Sequence, residues 1–485
     1  MLFRQIYDET LSQYAYLIGC QQTGEALLID PERDIDRYVS LAAADGVEIV
    51  GVAETHIHAD FLSGAREFAD RFGTTLYLSD EGDENWKYEW ARESADTGDA
   101  YDVEWLTDEQ TFSIGNVEIT ALHTPGHTPE HLSFLVTDTG GGATEPMGIV
   151  TGDFVFVGDL GRPDLLESAA HVEGAMEPSA RALYRSAQRF LELPDHLQVW
   201  PGHGAGSACG KALGAVPQST VGYEKQFNPM LDAARRGEDA FVEAITAGQP
   251  EPQMYFARMK RDNKEGPPLL GALPSPRALT PRELQEVAGD DETLVVDTRL
   301  DRSAFMAHHV PDSLYAPMNA SFNTVIGSLV EDETTPIVLI VDEAEVETAV
   351  RDLVRIGYDN VVGFADIETL QHYFEAGGAG ASIEEITFDD VEALRRDGDA
   401  TVVDVRYRSE YEDDGHVEGA VNASYSRLPE YESDLPRDGR LVVHCASGAR
   451  AAAAAAFLAR TGRDILYVND AFANYAATGS DALPA

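Results

Sequence analysis

Thr55-His56-Ile57-His58-Ala59-Asp60-Phe61 follows Val47 to Ala53, an apolar run that reads as a buried strand ending in this loop. Two imidazoles and a carboxylate within five positions make most of a metal-binding loop, because nitrogen and oxygen donors presented from one strand end can converge on a cation. The last position is Phe61, which offers no donor. Further along stand His127 in Thr124-Pro125-Gly126-His127-Thr128, Asp153 in Thr151-Gly152-Asp153 and His203 in Pro201-Gly202-His203-Gly204. A lone histidine is usually a satisfied core or surface residue. Several of them in tight glycine turns, beside an aspartate, point to a metal centre.

The order and context of these motifs resemble the metallo-β-lactamase superfamily. In its binuclear hydrolases one metal takes the His-x-His pair and the Gly-His-Thr histidine, and the second takes an Asp-His pair and the late histidine. Position 61 is Phe, so the resemblance implies a second site short of one ligand, with Asp60 and His203 remaining. The persulfide dioxygenase branch holds a single metal through the first loop histidine, the Gly-His-Thr histidine and the Gly-Asp aspartate, here His56, His127 and Asp153. Two imidazoles and one carboxylate leave open positions and suit non-haem ferrous iron, one ion per chain, although the residue types alone would also accept zinc. His58, Asp60 and His203 are expected to orient the ligands or a bound water. Gly161-Arg162-Pro163-Asp164 also matches this branch, and Arg162 is expected either to hold a substrate carboxylate or to support the ligand loop. His123 and His131 receive no role.

Short β-rich runs alternate with helical ones from residue 1 to about 230, which predicts two sheets flanked by helices. Gly266-Pro267-Pro268 through Pro274-Ser275-Pro276 marks a linker. Beyond it the chain repeats itself. Thr280, Val295-Val296-Asp297, Arg299, His309 and Val310 recur 107 residues on as Thr387, Val402-Val403-Asp404, Arg406, His416 and Val417. Gly377-Gly378-Ala379-Gly380-Ala381-Ser382, between the copies, reads as a flexible joint. The expected organisation is a multidomain α/β chain. Residues 1–265 form an αββα sandwich, and 276–376 and 383–485 form two small parallel sheets with helices on both faces.

In the last copy Leu441 to His444 is a strand, Cys445 opens a tight loop through Ala446, Ser447, Gly448 and Ala449 to Arg450, and an alanine-rich helix follows. Inward-pointing N–H groups, the helix dipole and Arg450 favour an anion there and are expected to lower the thiol pKa. With Asp404, Arg406 and Gly415-His416-Val417, the unit resembles a rhodanese, a family whose loop cysteine carries a persulfide sulfur. Cysteine-dependent phosphatases place five residues between cysteine and arginine. This loop has four, a smaller cradle better suited to sulfane sulfur. The middle copy has no cysteine around Ile340, Val341 and Asp342, and an acidic run from Asp342 to Glu347 replaces the cradle. Its expected role is structural. Cys209 lies in a glycine-rich loop after His203, with Lys211 near enough to lower its pKa. That loop looks like the one in metallo-β-lactamase–rhodanese fusions of sulfide detoxification. Cys209 reads either as a sulfur acceptor beside the metal or as an inert buried thiol, and Cys20 as structural.

The 485 residues carry a formal charge of -50, spread through every segment, and only five lysines. That pattern describes a solvating acidic shell and fits the cytosol of an extreme halophile, where salt screens self-repulsion. It argues against nucleic acid, which needs basic patches. Three cysteines give no disulfide framework. No signal-peptide pattern and no apolar run of spanning length is present, so a cytoplasmic protein without membrane partners is expected; a homo-oligomer is left open. The resemblances together imply oxidation of a low-molecular-weight or protein persulfide by dioxygen to sulfite, and transfer of sulfane sulfur by Cys445, which onto sulfite gives thiosulfate. Two competing readings are a glyoxalase II-like thioester hydrolase and a non-catalytic sulfur carrier.

Overall fold

The strand Gln13–Cys20 is buried along its whole length. Successive side chains of a strand point to opposite faces, and here Tyr14, Tyr16 and Ile18 enter one core while Ala15 and Leu17 enter another. A sheet buried on both faces must be covered on both. The computed structural model describes residues 1–92, 100–168, 174–211, 213–249, 251–398, 400–477 and 482–483. Its internal contacts divide the chain into two units, Met1–Pro252 with Phe256–Gly271 and Gln253–Tyr255 with Ala272–Ala485. The Pro/Gly-rich stretch read as a linker straddles that division.

In the first unit, one six-stranded sheet runs in sequence order through Leu2–Asp8, Gln13–Cys20, Glu25–Ile29, Glu48–Ala53, Thr75–Ser79 and Val103–Leu106. The other six-stranded sheet contains Thr111–Ile114, Val117–His123, Leu132–Asp138 and Gly148–Gly152, then Gln198–Pro201 and Ser219–Thr220. Tyr16, Ile18 and Leu27 of the first meet Ile119, Phe134, Val150 and Trp200 of the second in a shared core. The outer face of the first sheet packs on Tyr38 and Phe68 of the helices Asp36–Asp45 and Ala65–Phe72, with Trp86 and Trp90 alongside. Leu183, Phe190, Leu231 and Phe241, on the helices Met176–Glu192, Pro229–Arg236 and Glu238–Thr246, cover the second. The result is the four-layer αββα sandwich, with the metal-loop residues at strand ends.

The second unit holds two five-stranded parallel sheets of the same topology. Arg277–Ala278, Val361–Ala365, Ile337–Ile340, Leu294–Asp297 and Leu314–Tyr315 lie in that spatial order in one lobe. Their counterparts in the other are Glu384–Ile386, Asp464–Val468, Arg440–His444, Ala400–Asp404 and Val421–Asn422. The repeat extends to side chains: Arg299 clasps Asp297 as Arg406 clasps Asp404, each guanidinium also reaching a backbone carbonyl, of His308 and Gly415 respectively. Register equates His444 with Ile340 and therefore Cys445 with the buried Val341. The segment between the lobes departs from the flexible joint expected of its composition. Ala381 exchanges two backbone hydrogen bonds with His309, and the Tyr373 hydroxyl donates to Ala379 O. Glycine there permits close approach, since a Cβ on Gly380 would fall 2.1 Å from His308 Nε2. No helix among the described residues is long and apolar enough to cross a membrane.

Candidate functional site

Asp30, at the end of its strand, adopts φ 52°, a left-handed conformation that aspartate tolerates better than most residues. This turns its carboxylate onto the metal loop, where it accepts from Thr55 N at 2.7 Å and Thr55 Oγ1 at 2.8 Å. The Thr55 hydroxyl, its proton committed to Asp30, accepts from His56 Nδ1 at 2.9 Å and so leaves Nε2 with its lone pair. His127 is oriented in the same way, its Nδ1 donating to Arg162 O at 3.0 Å. The two Nε2 atoms face Asp153 Oδ2 at 3.9 and 3.5 Å, and that oxygen, fully buried, has no hydrogen-bond partner. One donor atom from each of His56, His127 and Asp153 lies within 4.8 Å of the others.

An orphaned buried carboxylate oxygen facing two lone pairs is destabilising unless a cation completes it, so these residues fit a metal. Electrostatics prepare them for one. Burial lowers the pKa of both His56 and His127, keeping the imidazoles neutral. Burial alone would raise the Asp153 carboxyl, but His203 and the other imidazoles hold it well below the usual carboxylate range.

Asp60, His203 and Cys209 form a second group within 4.8 Å of one another. The sequence left only two donors here; the fold adds the thiol. His203 is spent on its neighbours, with Nδ1 2.8 Å from Asp153 Oδ1 and Nε2 2.8 Å from Asp60 Oδ2. Burial opposes its protonation, yet the two carboxylates push its pKa up to about 10. Of the two readings of Cys209, sulfur acceptor or inert buried thiol, the lysine activation that would favour the first is not in place. Lys211 is turned away to the carbonyls of Ala244 and Ala247, and burial together with Asp60 and Asp153 raises the thiol well above its ordinary value.

His58 is not part of the first group, although its ring lies 4.2 Å from that of His56; its Nε2 is 3.2 Å from Asp30 and 3.0 Å from Glu54, and these three residues form a third donor group. Phe61 is completely buried with its ring 4.3 Å from that of His58. Asn263, 200 residues beyond Ser63, pins this loop by donating to the carbonyls of His58 and Phe61 and accepting from Ser63 N. Arg162 is wholly buried, clasps Asp164 at 2.8 and 2.7 Å, and donates to Ala208 O. Of its two expected roles the structure shows loop support. Sequence reasoning passed over Asp30, Asn263 and His131, whose Nε2 accepts from Asp153 N at 3.1 Å. His131 directly precedes the strand Leu132–Asp138, whose first residue pairs with His123, and that placement was the only signal.

In the second unit Cys445 lies at the base of the loop between Arg440–His444 and the helix Ala449–Arg460, 3.4 Å from Ala451 N. Gly448 takes φ 86° there, and a Cβ on it would press on Asn469 Oδ1 and the Tyr467 hydroxyl at 2.9 Å each. Arg450 does not lend its whole charge to this loop. Its guanidinium is held by both carboxylate oxygens of Glu410, whose own pKa is lowered by that pairing against the effect of burial.

An αββα sandwich with a donor cluster at its strand ends defines a metal-dependent enzyme fold. A metallo-β-lactamase superfamily model matches residues 9–203, and a rhodanese-like domain model matches residues 387–478. A metallo-β-lactamase from Staphylococcus aureus is 38% identical, covers 76% of this chain and 98% of its own, and superposes with a TM-score of 0.65. The chain belongs to the metallo-β-lactamase superfamily and carries a rhodanese-like domain at its carboxyl end. A beta-lactamase hydrolase-like protein of Xylella fastidiosa is 27% identical over 56% of this chain, which spans 61% of that relative's length. ETHE1 from Myxococcus xanthus is 25% identical and covers 56% of this chain and 100% of its own, with a TM-score of 0.42.

Proposed function

We propose that the first unit oxidises a low-molecular-weight or protein persulfide with dioxygen at one iron ion, and that Cys445 passes sulfane sulfur to an acceptor. The supporting observation is the inequality of the first and second of the three donor groups. Asp153 Oδ2 is unpartnered between two imidazole lone pairs, whereas Asp60 and His203 are closed on each other by a hydrogen bond. A ferrous ion held by His56, His127 and Asp153 would supply Lewis acidity and open positions for sulfur and dioxygen.

The chain's own part is orientation. Thr55 and the Arg162 carbonyl fix the imidazole tautomers, and His131 fixes the Asp153 backbone. His203 holds the other Asp153 oxygen, which leaves one carboxylate oxygen facing the site. Persulfide, dioxygen and water then balance thiol and sulfite. A sulfane sulfur leaving Cys445 for sulfite yields thiosulfate and returns the thiolate.

Metal analysis with oxygen uptake tests the first half. The reading requires about one iron per chain and persulfide-dependent oxygen consumption, both lost in Asp153→Ala. Turnover of thiosulfate with cyanide, abolished in Cys445→Ala, tests the second and excludes a passive carrier. A zinc-dependent hydrolase is the other reading, favoured by Cys209, which brings the second group to three donors, and by the hydrolase-like name of the Xylella relative. Two zinc ions per chain with thioester cleavage and no oxygen use would establish it instead.

A further inference from the structure

A cavity of about 150 Å³ in the second unit opens beside the Cys445 loop, and seven of its ten lining residues belong to the lobe that lacks a cysteine. Leu300, Arg302, Tyr315 and Asn319 come from that lobe; Tyr425, Ala449 and Arg450 face them. Arg302 also reaches the loop itself. Its Nη2 donates to Ser447 O at 3.1 Å and its Nε to Asn469 Oδ1 at 2.8 Å, and Asn469 in turn donates to Ser303 Oγ and Glu385.

The two arginines of this cavity are not equivalent. Arg450 is ion-paired with Glu410. Arg302 meets only neutral acceptors among the described residues. A guanidinium whose charge no carboxylate offsets, partly removed from solvent beside a nucleophile, attracts an anion more strongly than one already paired. The cavity is smaller than the pockets of about 300–1,000 Å³ that enclose drug-sized ligands, so it suits a small oxyanion rather than a peptide thiol.

We infer that Arg302, from the cysteine-free lobe, is the residue that holds the small sulfur oxyanion exchanging sulfane sulfur with Cys445. The inference rests on the sulfurtransferase reading of Cys445. It turns the middle lobe from a spacer into one wall of the binding site.

Alkylation of Cys445 tests the charge directly. The full-length protein is treated with iodoacetate, an anion, or iodoacetamide, its neutral analogue, and modification is followed by mass spectrometry on the peptide of residues 441–450. Arg302→Gln is expected to lower the iodoacetate-to-iodoacetamide rate ratio by about 10-fold while the neutral rate and melting temperature hold, and Arg302→Lys to restore much of it. The KM for thiosulfate should rise by a similar factor with kcat little changed. An unchanged ratio in Arg302→Gln overturns the inference. So does an equal fall in both alkylation rates, which a merely structural contact would give. If wild type turns over no thiosulfate but its ratio still depends on Arg302, the sulfurtransferase reading fails and the anion site stands. Should Arg302→Gln not fold, the Lys variant decides, since loss of the anion preference with the charge retained contradicts an electrostatic role.

Discussion

Thr55→Val removes one hydroxyl and nothing else of comparable size. In wild type that hydroxyl donates to Asp30 Oδ2 at 2.8 Å and accepts from His56 Nδ1 at 2.9 Å, all three residues being buried. Valine leaves His56 Nδ1 without an acceptor and Asp30 Oδ2 without that donor, while the backbone bond from position 55 to Asp30 Oδ1 survives. Unpaired buried groups of this kind cost about 1–3 kcal/mol each, and loss of a partner behind a metal ligand typically weakens metal binding about 10–100-fold. Thr55→Ser keeps the hydroxyl and is the control. Competition against a chelator, under anaerobic conditions for ferrous ion, should show the valine variant binding at least about 10-fold more weakly than the serine variant, with a lower urea midpoint. If valine and serine bind within about 2-fold of each other, Thr55 neither sets the His56 tautomer nor orients it for a metal.

The Asp60–His203–Asp153 chain makes the metal-free protein pH-sensitive in a definite direction. Because the folded pKa of His203 is raised to about 10 from 6.5, its stabilisation is complete below about 6.5 and is lost as pH rises through about 10. The stability of wild type relative to His203→Gln, measured by urea unfolding, should therefore shrink by about 1.4 kcal/mol per pH unit across that window; parallel profiles would refute it. Gly161→Ala places a Cβ 1.8 Å from Asp153 O, so the Asp153 turn must move. Expected are a loss of about 1–3 kcal/mol in thermal unfolding and a fall in bound metal. Full metal content at wild-type stability would show that the turn can yield.

Much of this molecule is written in local pattern. The apolar run before Thr55 and the glycine turns around His127, Asp153 and His203 expose the sandwich, because a strand's alternation and a turn's backbone demands act over a few residues. The offset of 107 residues exposes the twin lobes for the same reason, since a duplicated unit must repeat its own strands and its Asp–Arg clasp. What pattern cannot carry is the partner supplied from far along the chain. Asp30 and Asn263 both hold the metal loop, one by an unusual backbone angle and one from 200 residues beyond Ser63.

Charge compensation is likewise decided in three dimensions. By sequence alone Arg450 stands five positions from Cys445 and was expected to activate it, and Lys211 stands two from Cys209, where activation was one of two open readings. Folding gives Lys211 to helix-end carbonyls and Arg450 to Glu410, while Arg302 arrives at the Cys445 loop from a different lobe. The sequence determined which donors and nucleophiles exist and on which strand ends they stand. The tertiary structure decided which of them keep an unspent charge or lone pair, because pairing depends on a few ångströms of separation that neighbours in the chain do not control.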